Sequence, residues 1–322
     1  MRIVPIEVMS NFLIGHASNA EAATGCTAII ALNGAVGGVD IRGGAPATRE
    51  TDLLRPENSV NVVHAVVLSG GSAYGLAAAS GVAEELESKG IGLDTQSALV
   101  PIVVGASLFD LDIENPLERP DTNYGVRAVQ DAFAHKLSSP AHGNVGAGTG
   151  ANVSKIMGTE HSIKSGLGIC AYEHNGLYVG AILALNALGD VYDPQNGKQL
   201  SGPLSSESAF YKTEEILANK QVEDSMPLDL TNTTLACVIT NAKLNKSECT
   251  KLAQMSHDAF ARGIRPSHTT FDGDAIFTLA SGECEATLEA VSMMSQKALE
   301  GAILDALTSA QSAYGLVSVN DL

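Results

Sequence analysis

The stretch DLTNTTLACVITNA, residues 229–242, sets three threonines around Asn232 and then turns abruptly apolar. A threonine hydroxyl is a weak nucleophile at neutral pH and needs a base beside it. At the start of a chain it has one, because its own α-amine titrates at about 7.7–8.0. That amine exists only once the preceding peptide bond has broken. Asn232–Thr233 therefore has two readings. It is a polar turn leading into a strand, or it is a bond the chain cuts in itself. In the second reading Thr233 attacks the Asn232 carbonyl and water releases the ester.

FDGDAIF (271–277) offers a second chemistry. Residues i and i+2 of an extended chain point the same way, so Asp272 and Asp274 could face one site together. An acidic turn before a strand is the other reading. A calcium loop does not fit, because the remaining ligand positions and the terminal glutamate are absent. GAGTGA (146–151) matches a dinucleotide fingerprint by letter, but SSPAHGNV before it is no strand. In LSGGSAYG (68–75), Tyr74 stands where a nucleophile elbow needs its second glycine, so the segment reads as a tight turn. The eight histidines have no metal-ligand spacing, and no two of the five cysteines form a C-x-x-C pair. No metal and no cofactor are expected.

The elements that must position these groups are mixed. Apolar runs at 27–32, 61–68, 99–106, 177–185, 234–240 and 275–280 read as strands covered on both faces. Helical spacing recurs over 75–88, 125–137, 247–264 and 291–315, with Ser247 as a cap. A short helix is expected over 206–219 inside the turn-rich segment 187–232. That segment reads as a long exposed connection, a place where a processing site could be accommodated. The fold class is α/β in one domain.

The chain has 322 residues, 45% of them hydrophobic, and carries a formal charge of −17. Such a surface repels phosphate backbones and anionic lipid, which argues against nucleic-acid and membrane partners. The opening MRIVPIEVMSNFLIGH does not read as a signal peptide, and SALVPIVVGASLF (97–109) is too short to span a bilayer. A cytoplasmic protein is the default expectation.

Taken together, several blocks resemble the L-aminopeptidase/D-esterase family of self-processing hydrolases. That family includes β-aminopeptidases and nylon-oligomer hydrolases. The blocks are FLIGHASNAEAATGCTAII, VDIRGGAP, LSGGSAYGLAAASGV, VGAGTGANVSK, ILALNALGDV, NTTLACVITNAKL and RGIRPSHTTFDGDAIF, in the family's order. The resemblance implies a four-layer α/β/β/α sandwich like that of N-terminal-nucleophile hydrolases, with different connectivity. It implies cleavage into chains 1–232 and 233–322 and assembly as a homotetramer of processed pairs.

By position, Thr233 matches the nucleophile and Asn186 the oxyanion-hole asparagine. Lys155 matches a lysine near the nucleophile, and Asp272 and Asp274 match the acidic pair of nylon-type members. Asn232 before the nucleophile also resembles the nylon-type branch, which is the expected nearest branch. In the substrate pocket, Ser107 stands where aminopeptidase members hold the substrate ammonium with a glutamate. Phe109 stands where nylon-type members can carry a tyrosine. The implied activity is hydrolysis of peptides, small amides or oligoamides. An acyltransferase resembling ornithine acetyltransferases, which share the self-cleaving threonine, is the alternative.

Overall fold

The structure is a computed structural model that describes residues 1–136, 138–205, 209–219 and 232–322. Its first half holds β1 (Phe12–Asn19), β2 (Thr24–Ile41), β3 (Val63–Ser69), α1 (Ala78–Ser88), β4 (Val103–Ser107) and α2 (Thr122–Ala134). The second holds β5 (Leu167–His174), β6 (Leu177–Ala184), β7 (Leu235–Ala242), α3 (Lys246–Gly263), β8 (Ala275–Cys284) and α4 (Leu288–Thr308).

One long strand organises the sheets. β2 spans 18 residues. Its first part pairs with β1 and β3, and its last part, Val36–Ile41, pairs with β8. The ten-stranded sheet is therefore two halves joined at β2. Ile29, Val66, Leu68 and Val104 of one half pack against Ile182, Cys237, Ile239 and Phe277 of the other. The opposite face of the β7–β8 half packs under α3 and α4 through residues such as Val238, Phe260 and Leu299. The opposite face of the β3–β4 half packs under α1 and α2. The layers run α/β/β/α, as the resemblance implied. Each fully buried Leu, Ile or Phe adds about 1.5–3 kcal/mol.

Each half has one parallel pair, β3 with β4 and β7 with β8, and each pair is linked by a helix. A parallel pair needs such a crossover, and burial on both faces explains the continuous apolar runs. Residues 99–106 do not form one strand. Pro101 lacks the N–H a ladder needs, so Leu99–Val100 pairs with Leu93–Asp94 and β4 begins at Val103. The α3 cap is Asn245 rather than Ser247. Its side chain accepts from Glu248 N at 3.0 Å while Glu248 accepts from Asn245 N at 2.8 Å. The last helix stops at Thr308, short of the expected 315.

The segment 187–205 corrects a larger expectation. It is not exposed throughout: Leu188, Asp190, Val191 and Ser201 are fully buried, and only residues 195–198 are exposed. Asp190–Val191 pairs with Ile264–Arg265, and Asp190 accepts from the N–H and hydroxyl of Thr213. Thr213 opens the short helix Thr213–Asn219, and part of the helix expected over 206–219 lies outside the described residues. No helix among the described residues is long and apolar enough to cross a membrane.

Candidate active site

Thr233 sits at the start of β7 and is buried, with Asn232 buried beside it. The Asn232 carbonyl oxygen accepts from the Gly273 N–H at 2.8 Å and from the Thr233 hydroxyl at 2.5 Å. The Thr233 N–H donates to the Asn186 carbonyl at 2.8 Å. The 232–233 bond is thus gripped on both sides by backbone. Gly273 is required for this closeness, because a Cβ there would lie 2.6 Å from Thr233 Oγ1. The glycine-rich block VDIRGGAP serves the same loop. A Cβ at Gly43 would lie 2.2 Å from the Asp272 carbonyl oxygen, and the Ala45 N–H donates to that oxygen at 2.8 Å.

Asn186 connects the remaining groups. Its Oδ1 accepts from Lys155 Nζ at 2.6 Å and from Asn152 N at 3.2 Å, while its Nδ2 donates to the Phe109 carbonyl at 2.8 Å. Two donors on one atom fix which way the amide points. Nδ2 carries a second hydrogen that could serve a developing oxyanion. Burial pulls the Lys155 ammonium down to about 8, against the attraction of Asp112, Asp110 and Asp272. A lysine tuned that way can exchange a proton near neutral pH.

The two aspartates flank Gly273 and do different work. Asp274 Oδ1 accepts from the Thr234 N–H at 2.7 Å, which ties β8 to the residue after Thr233. Asp272 is in parallel register with Asn232 and accepts on Oδ2 from the Thr269 N–H and hydroxyl, both at 2.7 Å. Burial first, and the charge of Asp274 second, push the Asp272 carboxyl well above the usual carboxylate range.

The structure therefore gathers Thr233, Asn232, Asn186, Lys155, Asp272 and Asp274 around one peptide bond. Phe109 meets them through its carbonyl. Ser107 lies two residues earlier, buried at the end of β4 opposite Ser69, and its hydroxyl has no partner among the described residues.

Sequence reading passed over four groups. The Gly273 N–H is one, although the D-G-D spacing pointed at the position. Asp110 directly follows Phe109; burial pushes its carboxyl up to about 6, and it accepts from Gly71 N and the Thr24 hydroxyl, each at 2.7 Å. Lys164 is fully buried. Its Nζ donates to the Ala151 and Gly148 carbonyls at 2.9 and 3.3 Å and to the Ser165 carbonyl, and burial, with repulsion from Lys155, pulls it down to about 7. His268, against Asp274, is the fourth. Asp110, Lys164 and His268 have no motif spacing of their own.

GAGTGA is a packing turn against β1 and β2. Gly146 N donates to the Ser18 hydroxyl and Ala147 N to the Thr27 hydroxyl, and among the described residues no strand lies between α2 and this turn.

Residues 7–319 match the model of peptidase family S58. The chain belongs to that family. It is a hydrolase of the aminopeptidase/amidase class. It is 42% identical over 275 residues to an uncharacterized aminopeptidase of Mycobacterium leprae, covering 83% of this chain and 74% of that protein. It is 27% identical over 274 residues to the 6-aminohexanoate-oligomer endohydrolase of Paenarthrobacter ureafaciens, covering 84% of this chain and 73% of that enzyme.

The fold matches the L-aminopeptidase D-Ala-esterase/amidase of Ochrobactrum anthropi, described as a new variant of the Ntn hydrolase fold. The TM-score is 0.69 at 16% identity, over 96% of this chain and 88% of that one. A Burkholderia β-aminopeptidase gives a TM-score of 0.65 at 19% identity, over 96% of this chain and 88% of that one. Within the S58 family, the expected nearness to the nylon-oligomer branch is corrected, because the mycobacterial aminopeptidase is more similar than the endohydrolase. Asn232 and the acidic pair suggested that branch, and a few positions around a nucleophile weigh little against identity spread over the chain.

Proposed function

We propose that this S58 hydrolase cuts itself between Asn232 and Thr233 and then uses the new N-terminal Thr233 to hydrolyse peptides and small amides. The observation that carries the reading is the Asn232 carbonyl, held between the Gly273 N–H and the Thr233 hydroxyl. In the first step the Thr233 oxygen bonds to the Asn232 carbonyl carbon. The Gly273 N–H stabilises the oxyanion, which is the largest single term in most acyl transfers. The C–N bond breaks, and the leaving nitrogen takes the hydroxyl proton. Water then hydrolyses the ester, leaving the Asn232 carboxylate and a Thr233 with its own amine.

The same threonine next attacks a substrate amide. Its amine accepts the hydroxyl proton and passes it to the departing amine. Asn186 offers its second Nδ2 hydrogen to the substrate oxyanion, and Lys155 supplies positive charge beside it. Asp274 holds the Thr234 N–H and so the angle at which Thr233 leaves the strand.

Substrates with an unblocked amine are the favoured class, because the relatives at 41–42% identity are named as aminopeptidases. Ser107 supplies no acid for that amine, so the ammonium would have to be held elsewhere than in members with a glutamate there. A homotetramer of processed pairs completes the reading. Mass spectrometry of freshly purified active protein should show two fragments, the smaller starting at Thr233. An active sample containing only the intact chain would sink the mechanism. A p-nitroanilide panel with free and blocked amines tests the substrate class, and equal turnover of both would count against it.

A further inference from the structure

The loop before β8 carries a group the proposed mechanism has not used. His268 lies six residues before Asp274, with a left-handed φ of 59° that is uncommon for any residue but glycine. Its backbone N–H and its ring Nδ1 both reach Asp274 Oδ2, at 3.1 and 2.8 Å. Thr269, the next residue, reaches Asp272 Oδ2 with its N–H and hydroxyl. Two adjacent residues thus hold the two carboxylates, one each.

The ring of His268 is fixed as well. It meets His257 of α3 edge-on at 4.7 Å and stacks on Phe260 at 5.9 Å. Such packing allows little choice of rotamer, and strain of this kind persists where the surroundings over-determine it. The other charged groups facing this corner are Asp272, Asp40 and Arg42 of the β2 end, which bear on His257, and Lys155, which faces Asp272. His257 Nε2 meets the Asp40 carbonyl at 3.1 Å. Burial pulls His257 down to about 4, so it is neutral near pH 7 and supplies no charge to Asp274.

Asp274 therefore receives two backbone donors, Thr234 N and His268 N, and a third from His268 Nδ1 in the tautomer that protonates it. An ionised carboxylate accepts on both oxygens, and each donor favours the charged form. Asp272 receives both of its donors on Oδ2, which leaves Oδ1 as the oxygen that can carry a proton. The two carboxylates are both buried, stand two residues apart, and the charge of Asp274 disfavours a second charge on Asp272.

We propose that His268 is a positioning residue that holds Asp274 as the charged member of the Asp272–Asp274 pair and so places the pair's proton on Asp272. With the charge fixed on Asp274, the Thr234 N–H stays anchored. The proton on Asp272 then lies on the member in register with Asn232. The proposal rests on the reading of this pair as partners of Thr233.

The test is a carboxyl carbon NMR titration in Thr233→Ala, a background that keeps one covalent chain. Asp272→Asn and Asp274→Asn assign the signals. Asp274 should titrate at lower pH than Asp272. Adding His268→Gly, which tolerates the left-handed backbone, should raise the Asp274 midpoint by about one unit. Adding His268→Asn, which also tolerates it and keeps a donor, should restore most of that shift. In the processed enzyme, His268→Gly should move the acid limb of kcat/KM to higher pH. Asp272 titrating below Asp274 overturns the proposal. So does an Asp274 midpoint that His268→Gly leaves unmoved. If wild-type protein never yields a fragment starting at Thr233, the proposed function falls, and the titration order still decides the role of His268.

Discussion

The two parallel strand pairs use the same device, one where its strands run out and the other where its strands begin, with different outcomes. Where β3 and β4 run out, Asp110 accepts the Gly71 N–H from beyond the neighbouring strand at 2.7 Å. Where β7 and β8 begin, Asp274 accepts the Thr234 N–H from just before the neighbouring strand at 2.7 Å. Each carboxylate braces the backbone of the adjacent strand end. The second oxygen of Asp110 is closed off by the Thr24 hydroxyl. The second oxygen of Asp274 meets an ionisable ring, and another carboxylate stands two residues away. One brace is closed by a hydroxyl, and the other faces a histidine ring.

The comparison is sharpest if the β7 end is disabled outright. Thr233→Ala should abolish self-cleavage and lower turnover by about 10⁶-fold, leaving one chain with the fold intact, as mass spectrometry and circular dichroism would show. Asp274→Asn should cut kcat by about 10²–10⁴-fold, since it keeps the shape of the brace and removes its charge. Asn186→Ala should cost about 10²–10³-fold in kcat.

At the β3–β4 end the expected loss is stability. Asp110→Ala strands the Gly71 N–H and the Thr24 hydroxyl and should cost about 2–4 kcal/mol in urea unfolding. Should Asp110→Asn instead cost as much activity as Asp274→Asn, with stability unchanged, the distinction between the two braces is wrong. Ser107→Ala should be the mildest change, within about 0.5 kcal/mol, because it removes a buried hydroxyl that has no partner among the described residues.

A pH experiment separates the buried lysine that is tied to backbone from the one beside Asn186. The ammonium of Lys164 is pulled down from its ordinary range, to about 7. Between pH 7 and the ordinary lysine range the native state then holds fewer protons than the unfolded chain, so stability rises with pH across that window. Lys164→Met should remove that rise, measured by urea unfolding at pH 7 and pH 10. Lys155→Met should instead remove a high-pH limb of kcat/KM near 8, where Lys155 loses its proton.

Much of the site was legible because its parts are local in sequence. FDGDAIF is one turn and strand, and the spacing of Asp272 and Asp274 needs no tertiary information. The strand after Thr233 is readable from its run of buried apolar residues. Lys155 and Asn186 were legible only through resemblance, since a lone lysine and a lone asparagine have no pattern. Asp110, Lys164 and His268 were not legible. Asp110 and Lys164 act through partners elsewhere along the chain or through backbone atoms, and His268 through a carboxylate six residues on and the rings of α3; none of these leaves a period in the sequence. The segment 187–205 misled for a related reason. Its prolines, glycines and polar residues read as solvent-exposed turns, yet Asp190 buries itself by pairing with Thr213 and with the β-bridge to Ile264–Arg265.

By itself the sequence determined the α/β class, the apolar strands and the acidic turn before β8. Those follow from periodicity and from residue chemistry over a few neighbours. Only the tertiary structure decided that Asn232–Thr233 is a buried bond rather than an exposed turn. It decided too that Gly273 supplies a donor to the Asn232 carbonyl, and that one carboxylate is braced by a histidine. Such distances join segments up to 77 residues apart at the site, as in Gly273 N to the Asn232 carbonyl or Asn186 Nδ2 to the Phe109 carbonyl. Chain folding fixes such distances, because a hydrogen bond depends on where two atoms come to rest and not on how far apart they were written.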